Sequence, residues 1–122
     1  MRRSFGSLLV VSVLVVACGS VDLSQVETCA EMEDIVMDAT QNMVNFVDTL
    51  TFAQYQDGSS NSDTLPQESQ EAWEVLADRE ADVYERYQEL ECDYDWAFLE
   101  ERAGELTFKT RSGEHFIENF QS

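Results

Sequence analysis

Residues 29 to 55 read CAEMEDIVMDATQNMVNFVDTLTFAQY, a run with neither proline nor glycine. Apolar or small residues recur at Cys29, Met32, Val36, Ala39, Met43, Phe46, Leu50 and Ala53, with spacings that alternate between three and four. That alternation keeps one stripe on one face of an α-helix, and Ile35, Val44 and Val47 widen it. Just upstream, Ser24 and Glu27 match the capping box in which a hydroxyl and a carboxylate satisfy free amides at a helix start. The pattern predicts a helix from Gln25 to about Tyr55, and a helix with so long an apolar stripe has to lay it against a partner.

The partner is predicted next in the chain. QDGSSNSD, residues 56 to 63, gathers turn formers and ends the period. Thr64 with Gln67 offers a second capping box, and Pro66 falls in a first turn, where its missing amide is no loss. The new stripe runs through Ser69, Trp73, Leu76, Glu80, Val83, Tyr87 and Leu90, with Ala72, Ala77 and Tyr84 alongside. A helix from Pro66 to about Glu91 follows. At about 1.5 Å per residue, Cys29 lies about 38 Å from the end of the first helix and Cys92 about as far from the start of the second. Antiparallel packing therefore brings Cys29 and Cys92 side by side, as a disulfide requires.

A two-helix hairpin leaves its stripe open on a third side, and the tail is the segment available to cover it. Asp93 or Asp95 is placed to cap a third helix carrying Trp96, Phe98, Leu99 and Ala103, with Gly104 at its end or inside it. Leu106 and Phe108 then alternate with polar residues, and Ser112 is expected to begin a last short helix carrying Phe116, Ile117 and Phe120. The predicted fold is all-α, a small bundle of three to four helices built on a long disulfide-stapled antiparallel helical hairpin.

The first seventeen residues do not belong to that bundle. Arg2 and Arg3 precede a ten-residue apolar stretch, Leu8 to Ala17, interrupted by Ser12. It is half the length of about 20 residues that spans a bilayer, and the order of charge, apolar run and small residues is that of an export signal. Val15, Val16, Ala17 and Cys18 resemble the lipobox of bacterial lipoprotein precursors, of the form [LVI]-[ASTVI]-[GAS]-C. The resemblance covers only about the first twenty residues. It implies cleavage before Cys18, a diacylglycerol thioether on that cysteine, and acylation, as with palmitate, of the new amino group. It further implies a protein anchored on the outer face of a bacterial cell membrane, or of an outer membrane where one is present. Arg2, Arg3 and Phe5 partly resemble a twin-arginine signal, but its other flanking residues are missing, and export of the unfolded chain is expected. Residues 1–17 are thus read as a cleaved signal, 18–24 as a lipidated tether and 25–122 as an acidic helical domain. With Cys18 lipidated, three cysteines leave one pair, Cys29 and Cys92, in a compartment where disulfides persist.

Loss of the signal would leave five basic against 25 acidic side chains, a surplus of 20 negative charges. Such a field repels nucleic acid and anionic headgroups, and favours solubility and cationic partners.

Candidate chemistry is sparse. Asp57, Ser59, Asn61 and Asp63 alternate, and Glu68 stands twelfth from Asp57, as in an EF-hand calcium loop. Against this, Ser62 occupies the place of the required glycine, Pro66 crowds the second helix, and the Cys29–Cys92 pairing demands antiparallel helices that a loaded EF-hand does not have. Asp93 and Asp95 are read as helix caps, and His115 with Glu114 and Glu118 is a poor zinc set. No nucleophile stands in a catalytic context and no glycine-rich phosphate loop occurs, so neither an enzyme nor a cofactor is expected. The aromatics Trp73, Tyr84, Tyr87, Tyr94, Trp96 and Phe98 are read as core from their helical spacing. The function expected is a non-catalytic envelope lipoprotein contacting another envelope protein or the cell wall. The alternative is a module that binds a cation or small solute on its acidic surface. A protein contact requires an apolar groove left open once the hairpin is covered.

Overall fold

The computed structural model describes residues 22–92 and 97–120. The export-type segment, Cys18, and the stretch containing Asp93, Tyr94, Asp95 and Trp96 lie outside the described residues. All regular elements among the described residues are helical: α1 (Cys29–Val47), α2 (Phe52–Ser60), α3 (Gln67–Glu89), α4 (Ala97–Arg102) and α5 (Arg111–Glu118). Short 3-10 turns precede α1 (Leu23–Gln25), link α2 to α3 (Ser62–Thr64) and follow α4 (Ala103–Glu105).

The first helix starts later than Ser24. Asp22 accepts hydrogen bonds from the backbone N and Oγ of Ser24 at 3.0 and 2.7 Å, which commits Ser24 to the 3-10 turn. Thr28 is the cap instead: its hydroxyl accepts from the Glu31 amide at 3.2 Å, and the Glu31 carboxylate reaches back to the Glu27 amide at 3.4 Å. Thr28 and Glu31 repeat the spacing of Ser24 and Glu27, and the second pair lies next to the apolar stripe. The far end differs as well, because the helix expected to reach Tyr55 is broken. Thr49 turns its hydroxyl onto the Phe46 carbonyl at 2.6 Å. Thr51 and Gln54 then form a complete capping box that starts α2 in a new direction. Ala53, assigned to the first stripe, is exposed as a result.

α2 runs through half of the expected turn, to Ser60. Gly58 lies in it because a Cβ there would sit 2.7 Å from Leu65 Cδ2, and Leu65 folds back onto this helix. The pair Thr64 and Gln67 makes no cap; Pro66 is the N-cap residue of α3, without a side-chain bond.

α3 ends in a Schellman motif. The Glu91 amide donates to the Gln88 carbonyl and the Cys92 amide to the Tyr87 carbonyl, at 2.9 and 3.2 Å, while Glu91 takes φ 58°. This left-handed residue turns Cys92 inward onto Cys29. The two are disulfide-bonded, with Cα atoms 5.6 Å apart. At the opposite end of the hairpin Phe46 meets Trp73, ring centroids 5.8 Å apart, so α1 and α3 run antiparallel over their length. Arg86 adds a cross-link near the bridge, donating to the Val26 carbonyl at 2.6 Å.

The core lies between this hairpin and the tail. Met32, Val36 and Val44 of α1 pack with Val83 and Tyr87 of α3 and with Phe98, Ala103, Leu106 and Ile117 of the tail. Tyr87 is fully buried and stacks on Phe98 at 6.0 Å. A second cluster, Val47, Leu50, Tyr55 and Leu65, holds the turn end together. Most of the α1 stripe is buried or half-buried as its spacing demands, whereas α3 buries only Val83 and Tyr87 completely.

The bridge closes a loop across a sequence separation of 63. Replacing both Cys29 and Cys92 with Ala is expected to cost about 4 kcal/mol on the chain-entropy model. For a domain of this size that lowers Tm by roughly 15–30 °C. Calorimetry of the double variant checks this, and a melting temperature equal to that of the bridged protein contradicts it.

Candidate functional site

Between the hairpin and the tail runs an open apolar trench of about 600 Å³. Val36, Ala39, Thr40 and Met43 of α1 form its floor. Ala77, Glu80, Ala81 and Tyr84 of α3 form one wall, and Leu99, Phe116 and Phe120 the other. The gap follows from side-chain size along α3. Large rings, Trp73 against Phe46 and Tyr87 against Phe98, fill the space at either end, while Ala77 and Ala81, which line the trench between them, offer only methyl groups. Tyr84, read from sequence as core, is 40% exposed and faces the trench.

The tail wall is held in place by a polar stripe on α1 and its C-cap residue. Asp34, Gln41 and Asp48 recur every seven residues and so share a face. Asp34 pairs with Arg102 at 3.0 Å. Gln41 uses both ends of its amide on the Thr107 backbone, donating to the carbonyl and accepting from the amide, each at 2.9 Å. The Asp48 carboxylate accepts from the amides of Lys109 and Thr110 at 2.9 and 3.0 Å and from the Thr110 hydroxyl at 2.8 Å. Gly113 packs so closely on Asp48 that a Cβ would collide with its carboxylate. Ser112 is buried and donates to the Leu50 carbonyl at 3.1 Å. Arg102 also binds Glu105, and this hydrogen bond holds the Glu105 carboxyl below its ordinary pKa and, with that to Asp34, raises that of Arg102.

Beyond Phe116 a second hollow, about 420 Å³, is lined by Tyr55, Leu65, Trp73 and Asn119 among others. Tyr55 Oη lies 3.2 Å from His115 Nδ1 and accepts from Asn119 Nδ2 at 3.4 Å. Burial pushes the Tyr55 phenol above its ordinary pKa, against the opposing pull of the Asn119 hydrogen bond. His115 also meets Phe52 edge to face, and Arg111 stacks over Phe52 at 4.9 Å. His115 thus serves as a packing and hydrogen-bonding ring, and its neighbour Glu114 pairs with Arg111 at 3.5 Å.

The five residues of the candidate calcium loop are not assembled into a site. Asp57 and Ser59 lie on α2, where successive side chains turn around the axis instead of alternating, and Ser59 donates to the Tyr55 carbonyl at 2.8 Å. Asn61 caps the 3-10 turn by accepting from the Asp63 amide, and Glu68 lies in the first turn of α3. Among the described residues no three His, Cys, Asp or Glu side chains are grouped to hold a metal ion, and no helix is long and apolar enough to cross a membrane. No family model matches the chain, and neither a curated protein nor a solved structure is significantly similar to it.

The trench was not read from sequence. Its trace there is Glu80, a carboxylate in the apolar stripe of α3, flanked by Ala77 and Ala81.

Asp48→Ala is expected to lower stability by about 1.5–3 kcal/mol through the loss of charged hydrogen bonds to the tail. Chemical denaturation measures this, and a loss below about 0.5 kcal/mol contradicts the anchoring role. For Tyr55 the folded pKa is raised above 10.0. Its contribution is therefore intact below pH 10 and declines as pH rises from the unfolded value through the folded one. Tyr55→Phe should flatten that alkaline limb in denaturation midpoints taken across it; an unchanged limb contradicts the assignment.

Proposed function

We propose that this protein is an exported lipoprotein, anchored through lipid on Cys18 to the outer face of a bacterial cell membrane or outer membrane. Its small non-catalytic helical domain docks another envelope protein through the open trench. The observation that carries the reading is the division of labour among three cysteines. Cys29 and Cys92 are joined, as suits an oxidising compartment, and Cys18 is the odd one, preceded by an export-type apolar run. A lone thiol in such a place is accounted for by lipidation.

The location shapes what the domain can touch. Asp22, where the described structure begins, is four residues beyond Cys18, and four residues reach at most about 13 Å. The domain is therefore confined near the bilayer, while its negative charge keeps it off anionic headgroups. The trench gives it an apolar surface of the kind that protein partners cover.

Mass spectrometry of the protein from its native host tests the anchor. The expected product begins at Cys18 with thioether-linked diacylglycerol, and Cys18→Ala should give a chain that lacks the diacylglycerol and keeps its leader. An intact Met1 terminus on the wild-type protein overturns the reading.

A further inference from the structure

The trench has the dimensions of a helix face. Its α3 wall runs from Ala77 to Tyr84, seven residue steps and about 10 Å. An amphipathic helix that anchors at i, i+3 or i+4, and i+7 offers apolar side chains over the same length. The surroundings are helical too, since α1 floors the trench while α3 and the α4/α5 tail wall it. That leaves the position of one more helix in a bundle.

Charge selects among helices. Glu80 stands in the α3 wall with no ion-pair partner among the described residues, in a lining otherwise uncharged. α3 as a whole carries eight acidic and two basic side chains. A second copy of this chain would bring the same acidic surface against itself, and a fatty-acid carboxylate would enter against the same field. A basic side chain beside Glu80 would instead form its pair in a largely apolar setting, where such a contact is screened less than at an open surface.

We propose that the trench binds a basic amphipathic α-helix of a partner protein, which inserts apolar side chains at i, i+3 or i+4, and i+7 and brings a Lys or Arg to Glu80. The inference rests on the docking function above and names the chemistry of its partner. Among the described residues the trench is open, so they need little rearrangement on binding.

The probe is a synthetic peptide of about 15 residues, long enough to form a helix when bound. It carries leucines at i, i+3, i+4 and i+7 and lysines elsewhere. Its control has the same composition with the leucines scattered around the helix. Fluorescence anisotropy with the full bridged chain should show the amphipathic peptide binding at least about tenfold more tightly than the control, a difference of about 1.4 kcal/mol. Ala81→Trp, which fills the trench from an exposed position, and Glu80→Lys should each weaken binding by about tenfold or more. Ala77→Trp serves the same purpose if Ala81→Trp does not fold. Equal binding of the two peptides, or wild-type affinity in a folded trench-filling variant, overturns the proposal. Self-association abolished by Ala81→Trp overturns it in favour of a second copy. A photo-crosslinker placed at Ala81, compared with one at the outward-facing Val75, separates the two readings in native membranes. A partner captured from Val75 and not from Ala81 ends the helix proposal and leaves the docking function standing. Binding of the amphipathic peptide as expected, by a protein whose native form keeps its Met1 terminus, does the reverse: it ends the membrane assignment and leaves the helix proposal standing.

Discussion

The covalent bond between Cys29 and Cys92 sits at the end of the hairpin farthest from its connection, where two long helices would otherwise splay most easily. Fixing that end fixes the register of everything between it and the turn. With Cys29 opposite Cys92, Arg86 reaches the Val26 carbonyl, Tyr87 enters the core and Trp73 arrives at Phe46. The bond also depends on backbone detail. Glu91 has to adopt φ 58°, a conformation that side chains other than glycine resist, for Cys92 to turn toward its partner. Leaving this residue left-handed costs on the order of 1–3 kcal/mol. The contribution of the bridge, larger on the chain-entropy model, offsets it.

The stapled hairpin is then a rail on which the tail is mounted, and apolar and polar contacts divide that work. Phe98, Ala103, Leu106 and Ile117 supply burial. Asp34, Gln41 and Asp48 supply position, because each makes directed bonds to a particular arginine or backbone group of the tail. Burial alone would allow the tail to slide over the hairpin. The polar ladder fixes its lateral position, and with it the distance between Phe116 and α3 that keeps the trench open.

The hairpin and its cross-link were legible because both rest on periodicity and length, which survive errors of a few residues at helix ends. A shift of the first cap from Ser24 to Thr28 left the pairing of Cys29 with Cys92 untouched. The break after Val47 was missed although its signal was present: Thr51 and Gln54 have capping-box spacing, but they lie inside an apolar repeat that continues to Ala53. Local hydrogen bonding by Thr49 and Thr51 overrode that repeat. The heptad of Asp34, Gln41 and Asp48 is equally visible in the chain, yet polar periodicity on a helix usually marks only a solvated face. Its meaning depends on where the tail returns, a long-range fact that spacing does not carry. The trench was hidden for a related reason. Small residues at Ala77 and Ala81 look compatible with close packing until the rings at Trp73 and Tyr87 are seen to set the spacing.

These features bear jointly on function through the cost of keeping apolar surface open. A cleft exposed to water loses the burial that would close it, and an unconstrained hairpin could relax by bringing α3 down onto the tail. Three devices oppose that collapse: the bridge beyond one end, the Phe46–Trp73 contact at the other, and the Asp48 anchor holding α5 from below. The surplus of negative charge adds self-repulsion, which works against compaction and against pairing of identical chains. The domain therefore spends stability on a preformed concave face, and the charge that keeps copies of itself away is the same charge that favours a basic helix in that face.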